Sequence, residues 1–151
     1  MSNESFAEYM KTIGVSETLA SEFQRQYEFF KNICPEKIEH MFIDDYINQE
    51  GTRIFESTNF FSASFAMEAK TLGPTGEYEM ALFLPRLRYW SVGAKDFDFK
   101  KATDKSRLVF KFVLFEGGGL SLPTATLKAS KENCDYLWNL ISIYFVPKLQ
   151  K

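Results

Sequence analysis

The stretch 107–116 constrains this chain more than any other, because its residues leave a strand with almost no polar face. Leu108, Phe110, Phe112 and Leu114 alternate with Val109, Lys111, Val113 and Phe115, so one face is wholly apolar and the other mostly so. A strand of that kind must be covered by another layer of structure. Gly117, Gly118 and Gly119 offer a turn of unrestricted φ. Leu120, Leu122, Thr124, Thr126 and Lys128 then alternate against Ser121, Ala125, Leu127 and Ala129, which reads as the return strand of a hairpin. Ser130 is placed to cap a following helix on which Cys134, Leu137, Trp138, Ile141, Tyr144 and Phe145 recur at three- and four-residue spacing. That stripe is the expected cover, with Trp138 buried against 108–114.

The N-terminal part has a helical period. Phe6, Tyr9, Met10 and Ile13 share a face, Gly14 is a stop, and Ser16 can cap a second helix with the stripe Leu19, Phe23, Tyr27, Phe30 and Cys34. Pro35 ends it. A helical hairpin is stable only when its apolar stripe packs on something, so 1–35 is expected as a helical extension docked on a main domain, 36–151. From Ile38 the period becomes that of strands. Residues 38–47 and 53–61 flank a turn at 48–51, and 60–70 gives a third strand. Pro85 interrupts strand material over 80–92 and marks an edge or a bend. In 95–101, Phe97 and Phe99 alternate with Asp96, Asp98 and Lys100, which predicts a half-buried strand whose two aspartates share a side.

The fold class expected is therefore α+β: a helical hairpin, then about seven antiparallel strands joined by short loops, forming a barrel or curved sheet closed by a C-terminal helix. Chain length fits one ordinary domain, and sixteen phenylalanines among 151 residues predict an aromatic-rich core. No run is apolar enough to cross a membrane, and the charged start offers no signal-peptide core, so a soluble cytoplasmic protein is expected. Cys34 and Cys134 read as reduced core thiols, with a disulfide between them as the alternative.

Charge is unevenly distributed. Residues 1–56 carry eleven acidic and five basic side chains, whereas 57–151 carry nine acidic and thirteen basic ones. The basic excess gathers at Arg86, Arg88, Lys95, Lys100, Lys101, Lys105, Arg107 and Lys111, against Asp96, Asp98 and Asp104. One reading is a solvated sheet face; the other is a surface for an anion or an acidic partner, formed by Arg86, Arg88, Lys100, Lys101, Lys105 and Arg107. Aromatic interleaving of the nucleic-acid type is missing, and no nucleic-acid partner is expected.

Chemistry-bearing constellations are sparse. His40 is the only histidine and has no spaced cysteine or second histidine, so no metal site, cofactor site or His-based catalytic pair is expected. Asp44 with Asp45, and Asp96 with Asp98, are the close carboxylate pairs; the second reads as the polar face opposite Phe97 and Phe99. The 117–119 glycines precede a strand, unlike a phosphate-binding loop, which opens a helix.

The order of seven short strands and a closing helix with Trp138 inside 132–145 resembles the pleckstrin-homology-like superfamily, whose barrel is plugged at one end by its C-terminal helix. The resemblance covers about 38–145 and leaves 2–34 outside. It implies a PH-like barrel. Lipid-binding members carry a basic cluster on the first hairpin, but here 43–53 offers Arg53 against Asp44, Asp45 and Glu50, too few donors for a headgroup phosphate. The function expected is a non-catalytic module binding another protein, without stable membrane binding. The alternative is a helix-grip carrier of a small hydrophobic ligand, with Phe60, Phe61, Phe65 and Tyr89 lining a cavity.

Overall fold

The computed structural model describes residues 3–64, 66–72, 77–83, 87–114 and 124–149. Within them the chain is α+β: α1 (Asn3–Thr12), α2 (Glu17–Ile33), β1 (His40–Ile47), β2 (Arg53–Phe61), β3 (Ala66–Leu72), β4 (Glu77–Phe83), β5 (Leu87–Lys95), β6 (Arg107–Leu114), β7 (Thr124–Ser130), α3 (Asn133–Leu140), a π-helical turn (Ile141–Phe145) and α4 (Val146–Leu149). The strands form a four-stranded sheet in the order β1-β2-β3-β4 and a three-stranded sheet in the order β5-β6-β7. The single closed barrel expected from strand count is not formed among the described residues. The chain divides into two compact units, one comprising residues 1–43 and 55–83 and the other 44–54 and 84–151, with boundaries on both sides of the β1–β2 turn and after Phe83.

In the first unit the middle of each helical stripe is buried as its spacing predicts, while Leu19 and Cys34 at the ends of the second are half-buried, so Cys34 is not the core thiol expected. Phe6, Tyr9, Met10 and Ile13 of α1 and Phe23, Tyr27 and Phe30 of α2 are buried. Gly14, at φ 83°, ends the first helix in the left-handed conformation that favours glycine, and the Ser16 hydroxyl accepts the Leu19 N–H at the next N-terminus. The rings of Phe6, Tyr27 and Phe30 all meet Phe60, at centroid distances of 5.8, 5.8 and 5.5 Å. Burying each such phenylalanine stabilises the unit by about 1.5–3 kcal/mol. The buried polar groups here are matched: the Thr58 hydroxyl donates to Gln26 at 2.6 Å, and the Tyr9 hydroxyl accepts the Ile43 N–H at 2.9 Å. Phe60 and Phe61 end β2 and do not begin β3, which starts at Ala66, because the carboxylate of Glu36 binds Ser62 and Ser64 and turns the chain there.

In the second unit β5, β6 and β7 are antiparallel, with Phe110 opposite Val92 on one side and Leu127 on the other. Leu108, Phe110 and Phe112 form the buried face of β6, as the alternation requires. The residue that closes over them is Phe145, whose ring lies 4.9 Å from Phe110 and 5.0 Å from Phe112. Trp138 is only half-buried and packs elsewhere, which corrects its expected role as the plug. The cause is the helix itself. Pro147 has no N–H to give to the carbonyl four residues back, and the Val146 N–H bonds to the Ile141 carbonyl five residues back instead. This wider turn advances less per residue than an α-helix and brings Phe145 into line with Leu137 and Ile141. A second correction concerns Ser130, which is the last residue of β7 and not a helix cap; the α3 N-cap is Glu132, without a side-chain capping bond.

A network of charged and polar groups ties 44–54 to β7 and α3 within this unit. Asn48 starts it by accepting the N–H groups of Glu50 and Thr52 and closing the β1–β2 turn, with Gly51 at φ 83°. The fully buried Asp45 carboxylate accepts from Arg53 Nε at 2.8 Å, the Ser130 N–H at 2.9 Å, the Asn133 amide at 2.8 Å and the Ser130 hydroxyl. Arg53 also donates to Glu132 at 2.6 Å and to the Ser130 carbonyl at 3.1 Å. Asp44 accepts the Lys128 N–H at 3.4 Å. The outer edge of β7 is thus met by carboxylates where a neighbouring strand would otherwise pair.

Candidate interaction surface

The segment between β5 and β6, residues 96–106, is not the half-buried strand that its alternation predicts. Asp96 and Phe99 have φ of 52° and 66°, and two left-handed residues this close break any extended run. Asp96 and Asp98 accordingly do not line one face of a strand. Asp98 instead folds back on its own loop and accepts the N–H groups of Lys100 at 3.0 Å and Lys101 at 3.3 Å. Those two bonds hold its carboxyl below the ordinary carboxylate range.

Further bonds fix the rest of the loop. The Ser106 hydroxyl donates to the Asp96 carbonyl at 2.6 Å and accepts the Thr103 N–H at 2.8 Å, so one buried serine joins both ends. The Ala102 N–H donates to Asp135 in the first turn of α3, and the Lys131 N–H donates to the Ser106 carbonyl. Phe97 is the loop's buried anchor, with its ring 5.1 Å from that of Phe99. Phe99 meets Trp138 in a tilted contact at 4.7 Å yet remains 42% exposed.

This scaffold decides what becomes of the basic residues expected to form an anion or partner surface. Lys100, Lys101 and Lys105 are exposed on the loop, and none of them forms an ion pair among the described residues. Arg107 is drawn back onto the loop's backbone, donating to the carbonyls of Asp104 at 3.2 Å and Ser106 at 2.7 Å. Arg88 lies in β5, and Arg86 lies outside the described residues. Lys95 and Lys111 are exposed at the end of β5 and in β6. Three of the six expected residues therefore share one rigid loop. Phe99 was missed as a surface residue because an aromatic that alternates with charges reads as core.

Other candidate chemistry does not converge. Among the described residues no group of three or more His, Cys, Asp or Glu side chains is arranged to hold a metal. His40 opens β1, half-buried. Cys134 is buried beside the Ala129 carbonyl, and burial, with the Asp45 charge adding to it, pushes its thiol up to about 12. Arg53 is tied to Asp45 and Glu132, whose hydrogen bonds and charges outweigh its burial and hold its guanidinium above the ordinary range. Of the residues expected to line a carrier cavity, Phe60 and Phe61 are buried, Phe60 ring against ring; Phe65 and the Tyr89 side chain lie outside the described residues. A hollow of about 210 Å³ opens in the first unit between Tyr27, Lys31, Glu36, Lys37 and Ile38, smaller than the roughly 300–1,000 Å³ usual for small-molecule sites.

No protein-family model, curated protein or solved structure matches the chain. Among the described residues no helix is long and apolar enough to cross a membrane.

Proposed function

We propose that this protein is a non-catalytic interaction module that engages an acidic protein segment through Lys100, Lys101 and Lys105. The observation that supports this reading is the way the 96–106 loop handles its charges. Asp98 is turned back onto backbone N–H groups, Asp135 of α3 is engaged by the Ala102 N–H, and the three lysines stand exposed on a braced turn. A solvated face needs no such bracing. Exposed charges held in a fixed arrangement accelerate encounter with an oppositely charged partner and favour one orientation of it. Burial and hydrogen bonding elsewhere hold together the other polar cluster, around Asp45, which reads as structural. The PH-like relationship belongs to the same proposal, supported by seven strands followed by a helix whose Phe145 covers the β6 face. A cytoplasmic setting is also part of it.

The test uses the full chain and a fluorescent peptide of glutamates as the probe, followed by anisotropy at low and physiological salt. The triple variant Lys100→Glu, Lys101→Glu, Lys105→Glu is expected to keep the wild-type circular dichroism, since exposed substitutions of this kind change stability by under about 0.5 kcal/mol each. Association with the peptide should weaken with salt in the wild type, because charges are screened beyond a Debye length of about 8 Å. It should be lost in the triple variant. Equal binding by both proteins at low salt would leave the lysines as a solvated face and sink the reading.

A further inference from the structure

Resting on that reading, we infer that the exposed Phe99 ring, tilted against Trp138 beside the lysines, is the anchor that receives an apolar side chain of the acidic partner.

Phe99 is held at φ 66°, a conformation unfavourable for a side chain of its kind, and its ring is only partly buried in return, at 42% exposure. A strained residue persists only where its surroundings over-determine it, and such residues gather at binding sites. The surroundings here are the Asp98 bonds to the next two N–H groups, the Ala102 bond to Asp135, and ring contacts to Phe97 at 5.1 Å and Trp138 at 4.7 Å. They hold an aromatic face at the surface in a set orientation, directly before Lys100 and Lys101 in the chain.

Pre-positioned aromatic side chains with few rotatable bonds dominate interface energetics, while charges around them mainly steer and orient. On the side of the ring where the chain continues, Lys100 and Lys101 are exposed, while the Asp98 carboxylate on its other side is engaged by their backbone N–H groups, so the occupant is an acidic protein segment carrying one apolar side chain. A purely acidic segment would leave the ring unused, and a purely apolar one would leave the lysines unmatched.

The experiment compares two short glutamate peptides, one with a central leucine and one with a central serine, binding to the wild-type chain and to Phe99→Gly. Glycine suits the positive φ, so the loop conformation is retained while the ring is removed. The leucine peptide should bind the wild type roughly tenfold more tightly than the serine peptide, and Phe99→Gly should abolish that difference without weakening the serine peptide. An unchanged leucine preference in Phe99→Gly overturns the inference while the lysine surface stands. If an oligothymidylate binds more tightly than either peptide and loses its affinity in Phe99→Gly, the ring serves a nucleic acid and the inference falls. Sedimentation showing a dimer that Phe99→Gly dissolves would assign the ring to a second copy and overturn it equally. Failure of both peptides to bind the wild type removes this inference together with the proposed function.

Discussion

The Asp45 carboxylate and the Arg53 guanidinium, eight residues apart in the chain, meet at 2.8 Å on either side of the Asn48 turn. Neither is available to a ligand, because Asp45 also receives Ser130 and Asn133 and Arg53 also reaches Glu132. Asp45→Ala should cost about 3–5 kcal/mol, since it leaves Arg53 without its buried counter-charge and the Ser130 and Asn133 donors without an acceptor. Glu132 is 37% exposed, and Glu132→Gln should cost under about 1 kcal/mol. Urea unfolding of the two variants checks the contrast; similar losses would mean that the network is not centred on Asp45.

The same geometry governs lipids. Liposomes containing phosphoinositides should not retain the protein at physiological salt, because the one basic side chain of the first hairpin is already bound on three sides. Sedimentation with liposomes tests this, and salt-sensitive retention that Arg53→Ala abolishes would contradict it.

Phe145 and Trp138 should separate on truncation. Phe145→Ala removes a fully buried ring that packs on both Phe110 and Phe112 and should cost about 3–5 kcal/mol. Trp138→Ala removes a half-buried ring in contact with the exposed Phe99 and should cost less. The ordering of the two melting temperatures is the readout, and a larger drop for Trp138→Ala would restore tryptophan as the plug.

The two cysteines should react differently with a thiol reagent near neutral pH. Cys134, pushed to about 12 by burial and then by the Asp45 charge, should stay unlabelled in the native protein, whereas the half-buried Cys34 reacts. Both should label in denaturant. Mass spectrometry after brief exposure gives the answer, and native labelling of Cys134 would show that its site opens.

For Asp98 the sign follows from its direction. Its carboxyl is held below the ordinary value by the Lys100 and Lys101 N–H bonds, so its support of the loop is fully present above the unfolded carboxylate value of about 3.9 and is lost as pH falls through the lower, folded one. The Lys100 and Lys101 amide resonances should therefore titrate together, with a midpoint below the ordinary carboxylate value of about 3.9. Movement centred well above that would show that the carboxylate does not accept these bonds.

Much of the fold was legible because burial follows period. Phe6, Tyr9, Met10 and Ile13 recur with the helix, Leu108, Phe110 and Phe112 recur with the strand, and all are buried. The 96–106 loop was not legible: Phe97 and Phe99 alternate with charges as a strand would, and nothing in the period reveals a reversal of φ at two residues that are not glycine. The choice between Trp138 and Phe145 depended on the π-helical turn before Pro147, which shifts the phase of the stripe after the pattern has been set. Of the candidate surface, the lysines were legible as a cluster, since composition alone shows them. Phe99 was not, because apolar character predicts burial and only a fixed backbone can override it. Asp45 and Arg53 had a signal in their near-symmetric spacing about the Asn48 turn.

The side chains of Asp44 and Asp45 on β7 have a consequence for how copies of this chain treat one another. An exposed strand edge is a template on which a second molecule can add its own strand and begin a fibril. Here the Lys128 and Ser130 N–H groups, two residues apart on one edge, are already taken by carboxylates of the same chain. An incoming strand would have to displace two buried anions to reach them, so this edge is closed to amyloid-like growth for as long as residues 44–54 stay seated on it.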